Sequence, residues 1–504
     1  MKHNLLKQAL KESRDSQVQK NSLLVEKWGK LIKPVGSFIK ERKDYELTEF
    51  DRHNMAICLE NAVYEAAARQ SAKLFEATTE SDITFLGIQL PVIAALLPTL
   101  VLNKIAIVQA LDRRQGAVFY LDAKYNTSKG GIASGDKMLS ATTGVNRTET
   151  GRRYAIDKVF GEVLSGSGAT RAGTFGGTAR FGSGIVLGTV RIYYSGTEVA
   201  NDQATDGTLA AVGASGVSGT ILSTGVYSIA GLTTSSGSEV TADYQYTYDA
   251  VTDANGNNTG VGEVDINLTS STVTAQDFTL QAKYSLGASI DLQKAHGLNL
   301  ESEVVKYLGG EIKFEIDHWG IDMIVRAATG GRIWGETGSY SPATAIGTWD
   351  ATVGSGQEWI WKKYEFINEI LKGSNNIYDK TFRGFGNFII CGNNVARVIR
   401  QLGDMFTPAA GLDKTVPTGP MELGNLNGMT VIQDPLVTTN RYVVGYRGDN
   451  YLYAGFIYAP YIPLFSTPTL LTSDLFAQKG FMSSAGFKVI NAGLFTYGDI
   501  SNVP

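Results

Sequence analysis

Residues 301–316 have the sequence ESEVVKYLGGEIKFEI, and this segment decides the fold class more than any other. Apolar residues recur here every three or four positions, which predicts one buried face of a long helix. The members of this face are Val305, Leu308, Ile312, Ile316 and Trp319. Gly309 and Gly310 lie within the pattern, and each costs about 1 kcal/mol relative to alanine in a helix interior. We therefore expect a kink or a close packing contact at this glycine pair.

Helical and strand-like segments alternate on both sides of this helix. Further helices are expected at Leu286–Leu298, Glu358–Lys372 and Asn394–Leu402. Short runs of β-branched and aromatic residues predict strands, and they lie at Gly116–Tyr125, Phe388–Cys391, Tyr442–Tyr446 and Ala454–Tyr458. The sequence therefore predicts an α+β protein. Its 504 residues suffice for about three structural units.

A Gly/Ser/Thr-rich block interrupts this pattern in the middle of the chain. Between Arg191 and Lys283 there are ten acidic residues and no Lys or Arg, so this block has a charge of −10. Since the whole chain has a net charge of −4, the rest of the chain has a charge of +6. Strand-like pieces and turn dipeptides predict hairpins here; they are Thr189–Tyr194, Asp243–Tyr248, Asp206-Gly207 and Asn255-Gly256. We expect a β-rich acidic insertion over residues 189–262, with a disordered spacer as the alternative.

The N-terminal segment 1–76 is helical in pattern and mixed in charge, with 14 Lys or Arg and 11 Asp or Glu residues. An apolar stripe at helical spacing runs along it, formed by Met55, Leu59, Ala62, Val63 and Ala66. This pattern fits an ordinary surface helix, and it equally fits a removable or partner-binding arm. Periodicity does not separate the two.

An uncharged apolar segment follows at residues 83–102, near the ~20 residues that span a bilayer. Pro91 and Pro98 interrupt it, and lipid offers no replacement for the backbone donors that they lack. We therefore expect a buried soluble segment and no membrane association. The charged start of the chain has no signal-peptide hydrophobic region. Two cysteines, Cys58 and Cys391, fit folding in a reducing cytoplasm.

Composition and motifs point away from catalysis. Hydrophobic residues make up 43% and charged residues 19%, which is typical of a globular protein, and the net charge of −4 differs from the basic excess of dedicated nucleic-acid binders. The sequence has no phosphate-binding loop, dinucleotide fingerprint or hydrolase nucleophile elbow. Four histidines lack the spacing of a helical zinc site; they are His3, His53, His296 and His318. We expect no enzymatic activity, no cofactor and no metal.

Three segments together resemble the major capsid proteins of T-even-like tailed bacteriophages. The first runs from Leu90 to Tyr125, although Ala110-Leu111 and Gln115 depart from the family phrases. The second runs from Leu280 to Ile316, and the third contains Val444-Gly-Tyr-Arg-Gly448, Ala454-Gly-Phe-Ile-Tyr-Ala-Pro-Tyr-Ile462 and Gly486-Phe-Lys488. The positions that carry the family-like structural motifs are Lys283, His296, Gly297, Glu311, Glu315, Gly445, Gly448, Tyr458, Pro460, Gly486 and Lys488.

This resemblance implies the HK97-type capsid fold and a division of the chain into its parts. They are an N-terminal helical segment (1–76) that is a candidate for cleavage, an N-arm (77–114), an extended loop (115–285) that includes the 189–262 insertion, a peripheral domain with the long spine helix (286–374), an axial domain (375–480) and a return to the peripheral domain (481–504).

The resemblance also implies a structural role in the virion. The chain would self-assemble into hexameric capsomers of an icosahedral or prolate head that encloses double-stranded DNA, after folding in the host cytoplasm. The implied partners are a vertex or pentamer capsid protein, the portal, the scaffold and prohead protease, decoration proteins and, non-specifically, packaged DNA. The alternative is a β-rich surface or adhesin-type structural protein, against which the helical segments and the lack of a secretion signal count.

Family prohead proteases cut after glutamate in a Leu/Ile-x-Glu context, and Glu76 followed by Ala77 has this form. The sequence Leu47-Thr48-Glu49 matches as well. For the acidic insertion we expect an outward position on the shell, because −10 facing DNA phosphates would be repelled.

Overall fold

A computed structural model describes most of the chain. The described residues are 23–29, 49–71, 100–129, 132–136, 138, 154–164, 171–174, 184–202, 205–213, 215–232, 240–251, 260–297, 300–331, 345–353, 359–409, 419–448, 454–467, 469–471 and 476–503. The chain divides into two compact units. Unit 1 comprises residues 1–120, 270–378 and 383–504, and unit 2 comprises residues 121–269 and 379–382.

Helices and strands are both abundant, so the predicted α+β class is confirmed. The helices are α1 (Glu49–Ser71), α2 (Leu102–Ile105), α3 (Leu286–His296), α4 (Leu300–Thr329), α5 (Trp359–Thr381) and α6 (Asn393–Arg400). The strands are β1 (Ile107–Val108), β2 (Gln115–Tyr125), β3 (Lys158–Val163), β4 (Arg171–Thr174), β5 (Arg191–Tyr194), β6 (Thr197–Asn201), β7 (Thr208–Ala211), β8 (Ser218–Ile221), β9 (Val226–Ala230), β10 (Val240–Gln245), β11 (Val264–Thr274), β12 (Gln276–Ser285), β13 (Ala345–Asp350), β14 (Phe388–Cys391), β15 (Phe406–Pro408), β16 (Met421–Leu426), β17 (Met429–Gln433), β18 (Arg441–Gly445), β19 (Phe456–Ser466), β20 (Leu470–Leu471), β21 (Phe476–Val489) and β22 (Phe495–Ser501).

Within the described residues, the strands form four sheets. A five-stranded sheet has the order β1-β19-β21-β12, with β20 beside β21. A seven-stranded sheet has the order β13-β22-β18-β14-β17-β16-β15. An eight-stranded sheet has the order β3-β10-β5-β6-β7-β8-β9-β4, and β2 and β11 pair as a two-stranded ribbon.

Helix α4 is the long helix that residues 301–316 predict, and it continues without interruption through the glycine pair. Ile312 and Ile316 are buried, as the periodicity indicates. A side chain at Gly310 would meet nothing within 4 Å, so the expected close contact is absent there. A close contact occurs ten residues later in the same helix, at Gly320, where an added Cβ would lie 2.4 Å from the Leu102 side chain.

The seven-stranded sheet and α5 enclose a second core in unit 1. The Phe366 ring of α5 lies 4.9 Å from the Trp349 ring and 5.6 Å, edge-on, from the Tyr442 ring, measured between centroids. The sheet takes its outer strands β13 and β22 from outside the predicted axial segment 375–480. The free edge of β18 has backbone groups that need hydrogen-bond partners, and β22 supplies them, followed by β13.

Unit 2 contains the eight-stranded antiparallel sheet, which begins at Lys158, upstream of the predicted insertion boundary at residue 189. Along β10 buried and half-buried side chains alternate, which is the pattern of a strand with one face on a core. The turn at Gly207 has a φ of +84°, and a Cβ there would lie 2.1 Å from the Ile221 carbonyl oxygen. Where they are described, residues 189–245 of the acidic insertion are thus part of a folded sheet.

Several expected features lie outside the described residues. They are Glu76 and Ala77, most of the apolar segment 83–102, and the turn at Asn255-Gly256. Among the helices that the structure describes, none combines the length and apolarity needed to cross a membrane.

Candidate assembly surfaces

Two family-like positions on β19 belong to the core of unit 1. Tyr458 is 1% exposed, and its ring lies 5.6 Å from the Phe487 ring between centroids. Burial raises the pKa of the Tyr458 hydroxyl well above its ordinary value. The carbonyl oxygens of Tyr458 and Pro460 accept the N–H groups of Gln109 and Leu111, each at 2.9 Å. These residues therefore join the five-stranded sheet to the segment that follows α2.

Two glycines permit close packing that a side chain would block. A Cβ at Gly445 would lie 2.2 Å from the Phe388 ring, and a Cβ at Gly486 would lie 2.4 Å from the Val273 side chain. Gly448 is buried just beyond the end of β18, and Lys488 lies opposite Ile457 in the β19–β21 ladder.

The remaining family-like positions lie on the surface of unit 1. The exposed Lys283 on β12 places its Nζ 4.8 Å from the centroid of the Phe476 ring. His296 ends α3, and Gly297 adopts a φ of +65° and donates its N–H to the Gln293 carbonyl oxygen. Glu311 and Glu315 are exposed on α4, one turn apart. The structure does not bring the sequence-predicted positions together into one site.

A buried acidic cluster joins α4 to two other segments of unit 1. The Asp317 carboxylate accepts the N–H of Val101 at 3.2 Å and that of Leu102 at 3.1 Å. Burial raises the pKa of Asp317 to about 7. His318 Nδ1 lies 2.7 Å from Asp434 Oδ2, and this hydrogen bond raises the pKa of His318.

This cluster is not arranged for metal binding. In the part of the chain that the structure describes, no group of three or more His, Cys, Asp or Glu side chains could hold a metal ion. Its hydrogen bonds instead fix the segment around α2 and the residues after β17 to the long helix.

The outward face of α5 carries a stripe of exposed side chains, which we name the α5 stripe. Its members follow 3-4-3-4-3 spacing, the seam pattern of paired helices; they are Trp361, Tyr364, Asn368, Leu371, Asn375 and Tyr378. Trp361 is 68% exposed and Tyr364 is 48% exposed. The opposite face, with Phe366 and Ile370, packs on the seven-stranded sheet. Helix α5 thus carries large apolar side chains on two faces; on the outward face Tyr378 stacks on Phe385 at 4.7 Å between centroids, while Trp361, Tyr364 and Leu371 are exposed.

A second exposed apolar surface lies on β11 of the ribbon. Val264, Ile266 and Leu268 alternate along the strand and therefore share one face. They are 39%, 63% and 61% exposed. Apolar side chains in such a row are typical of surfaces that another chain covers.

Sequence reasoning missed the α5 stripe, although its signal was present. The sequence predicts a helix at Glu358–Lys372 without assigning its faces, and the apolar residues at 361, 364 and 371 have helical spacing of their own. A helix with apolar residues on both faces predicts burial on both sides, within the chain or against another.

The sequence is similar to a known protein family and to individual proteins of bacteriophages. The sequence matches the family described as "Major capsid protein Gp23" over residues 84–496. It is 30% identical over 236 residues to the major capsid protein of Vibrio phage KVP40, covering 45% of this chain and 44% of that protein. It is 32% identical over 222 residues to the major capsid protein of Enterobacteria phage T4, covering 43% and 42%. Each match thus spans less than half of the relative's length.

Among solved structures, the fold is similar to a chain of the capsid of Myoviridae phage XM1. That match has 10% identity and a TM-score of 0.32, and covers 67% of this chain and 94% of the other. A chain from Mycobacterium phage Che8 matches with 17% identity and a TM-score of 0.30, covering 46% and 74%.

Proposed function

The chain belongs to the Gp23 family of major capsid proteins, and from this we propose that it is a structural subunit that assembles with further copies of itself into the shell of a phage head. Its capsomers are hexameric rings, the shell encloses double-stranded DNA, and the protein performs no catalysis. It folds in the host cytoplasm and resides in the virion.

The observation that carries this proposal is the α5 stripe. A soluble monomer seldom exposes several large apolar side chains on one helix face, as Trp361, Tyr364 and Leu371 are on α5, whereas an assembling subunit needs such a surface. Burying the exposed two thirds of Trp361, roughly 150 Å² at about 25 cal/mol per Å², stabilises a contact by about 4 kcal/mol. Repetition over many subunits turns such contacts into a stable particle.

The experiment compares assembly of two charge-introducing variants of the full chain. Trp361→Glu places a carboxylate within the stripe, and we expect it to remain folded but fail to form rings or shells. The matched control is Tyr64→Glu, because Tyr64 is an aromatic residue of α1 that is 72% exposed. Electron microscopy and sedimentation measure the particles. Normal particles from Trp361→Glu would contradict a role for this surface, and the absence of particles from the unmodified chain would contradict the function.

The family context supplies the remaining partners of the proposal: a vertex or pentamer protein, the portal, a scaffold, the prohead protease and decoration proteins. The protease cuts between Glu76 and Ala77. The intact mass of the chain from purified virions measures this directly, since an uncut chain retains its full mass.

The acidic insertion over residues 189–262 projects from the outer surface of the shell. It carries seven acidic residues and one basic residue, Arg191, a net charge of −6, which an inner surface beside DNA phosphates would have to offset. On the outside the same charge keeps particles apart and soluble.

A further inference from the structure

Helix α1 lies in the core of unit 1, although sequence alone leaves open a surface helix or a removable arm. One face of α1 is almost completely buried, with exposures between 0% and 5%; its members are Asn54, Met55, Ala56, Cys58, Leu59 and Ala62. The apolar members join the same cluster as Ile312 and Ile316 of α4 and Tyr458 of β19. Burial raises the pKa of the Cys58 thiol to about 12. Helix α1 thus packs on β19 of the five-stranded sheet and shares one hydrophobic core with α4.

Asn54 completes the outer edge of that sheet. Strand β1 has β19 as its neighbour on one side, to which the N–H groups of Gln109 and Leu111 point. The Val108 carbonyl and the Ala110 N–H point to the opposite side of this segment, away from β19. Asn54 Nδ2 donates to the Val108 oxygen at 2.9 Å, and Asn54 Oδ1 accepts the Ala110 N–H at 3.1 Å. One side-chain amide therefore satisfies a strand edge as another strand would.

Asn61 closes the end of the same ladder. Its Nδ2 donates to the Leu111 carbonyl oxygen at 2.7 Å and to the Tyr461 carbonyl oxygen at 3.0 Å. These two carbonyls belong to neighbouring segments just where the pairing of β1 with β19 ends. The amide group of Asn61 therefore links α1 to both segments. Its removal would take one hydrogen-bond donor away from each of the two carbonyls.

The two asparagines are seven residues apart, which is two helical turns, so they lie on one side of α1 with Cys58 between them. The other side is covered in part by the helical residues 23–29. Trp28 is 8% exposed and donates its Nε1–H to Glu60 Oε2 at 2.9 Å, and Lys27 pairs with the same carboxylate at 2.8 Å. Residues 23–29 and 49–71 therefore contribute a layer of packing to unit 1 rather than a free arm.

We propose that the surface formed by β1, the residues after it and β19 is a helix-binding site whose occupant is α1, and that α1 stays bound there after the chain is cut between Ser71 and Leu100. The Asn54 and Asn61 amides form a clamp that sets how fast α1 leaves. Cutting the chain and releasing the N-terminal segment are then two separate steps, and a fragment cut after Glu76 leaves only when the clamp opens. This inference concerns packing in the unassembled chain and does not rest on the proposed function.

The test uses the full chain with a sequence-specific protease site inserted after Glu76. The chain is cut in solution, and gel filtration with mass analysis follows the N-terminal fragment over time. We expect the unmodified fragment to co-elute with the remainder. Two clamp variants, Asn61→Asp and Asn54→Ala, should each release it at least about tenfold faster, because each loses hydrogen bonds to buried backbone groups. Asn61→Asp keeps the shape and replaces the donor with a carboxylate facing two carbonyl oxygens.

The control is Tyr64→Ala on the same helix, whose side chain is 72% exposed and which should release the fragment at the unmodified rate. Thermal melting before cutting verifies that each variant is folded, and Asn54→Ala keeps the test decisive if Asn61→Asp does not fold. Immediate separation of the unmodified fragment from a folded remainder would overturn the proposal. Equal retention by the clamp variants and the control would also overturn it.

Discussion

Replacement of Asp317 by asparagine should reverse its effect on stability between acidic and alkaline pH. Asp317 is 1% exposed in unit 1 and accepts two backbone N–H groups, those of Val101 and Leu102. Burial raises its pKa from 3.8 to about 7, against the opposing influence of these two N–H groups and of Lys313, while Asp434 adds to the rise. The folded state therefore holds a proton that the unfolded chain has already released between these two values.

A group of this kind makes the protein less stable as pH rises, because the folded state binds more protons than the unfolded state over that window. A pKa change from 3.8 to about 7 corresponds to about 4 kcal/mol lost between pH 4 and pH 8. His318 acts in the same direction, since its pKa is raised by Asp434 and its contribution is lost as pH passes that raised value.

An asparagine at position 317 cannot ionise, so the variant avoids the loss of stability at high pH. Its amide has one acceptor oxygen instead of two, and the hydrogen bond to a backbone N–H that is lost costs about 1 kcal/mol of stability. We expect Asp317→Asn to be about 1 kcal/mol less stable than the unmodified chain at pH 3, where neither state has released the proton, equal to it near pH 4.5, and about 3 kcal/mol more stable at pH 8. Denaturant unfolding of the unassembled chain, followed by tryptophan fluorescence across this pH range, measures the difference. Parallel stability curves, or a variant that is the less stable of the two at pH 8, would refute the reasoning.

Two further predictions concern α4 and the insertion. Gly320→Ala should be less stable than Gly310→Ala by about 1–3 kcal/mol in denaturant unfolding, because a Cβ at Gly320 meets the Leu102 side chain at 2.4 Å and one at Gly310 meets nothing within 4 Å; equal stabilities would contradict the packing. Limited proteolysis of intact particles should cut the insertion only at turns such as Gly207 or Gly256 and leave the shell whole, whereas complete protection would place the insertion inside or between subunits.

Local patterns were sufficient for much of the secondary structure. The strand predicted at Phe388–Cys391 has those bounds in the structure, and the periodicity of residues 301–316 identified α4. Both depend on neighbours within a few positions, where period and propensity act directly. The family resemblance came from short phrases in order along the chain, and the family match over residues 84–496 confirms it.

Local patterns failed where two faces of one helix compete. Helix α5 has apolar residues on both sides, and the sequence does not say which side meets the sheet of the same chain. Tertiary packing placed Phe366 and Ile370 inside and left Trp361 and Tyr364 outside. The eight-stranded sheet likewise begins earlier than the charge boundary indicates, because strand pairing and not charge defines its limits.

The sequence by itself determined the α+β class, the long helix, the acidic character of the insertion and the family. Only the tertiary structure decided that α1 belongs to the core, that Asn54 is buried there and that Asn61 is half-buried. Asparagine is ordinarily a surface residue, and burial is favourable only where a partner satisfies its amide. The partners of Asn61 are the carbonyls of Leu111 and Tyr461, which lie 50 and 400 positions away. No local pattern contains that information, because folding alone brings these groups together.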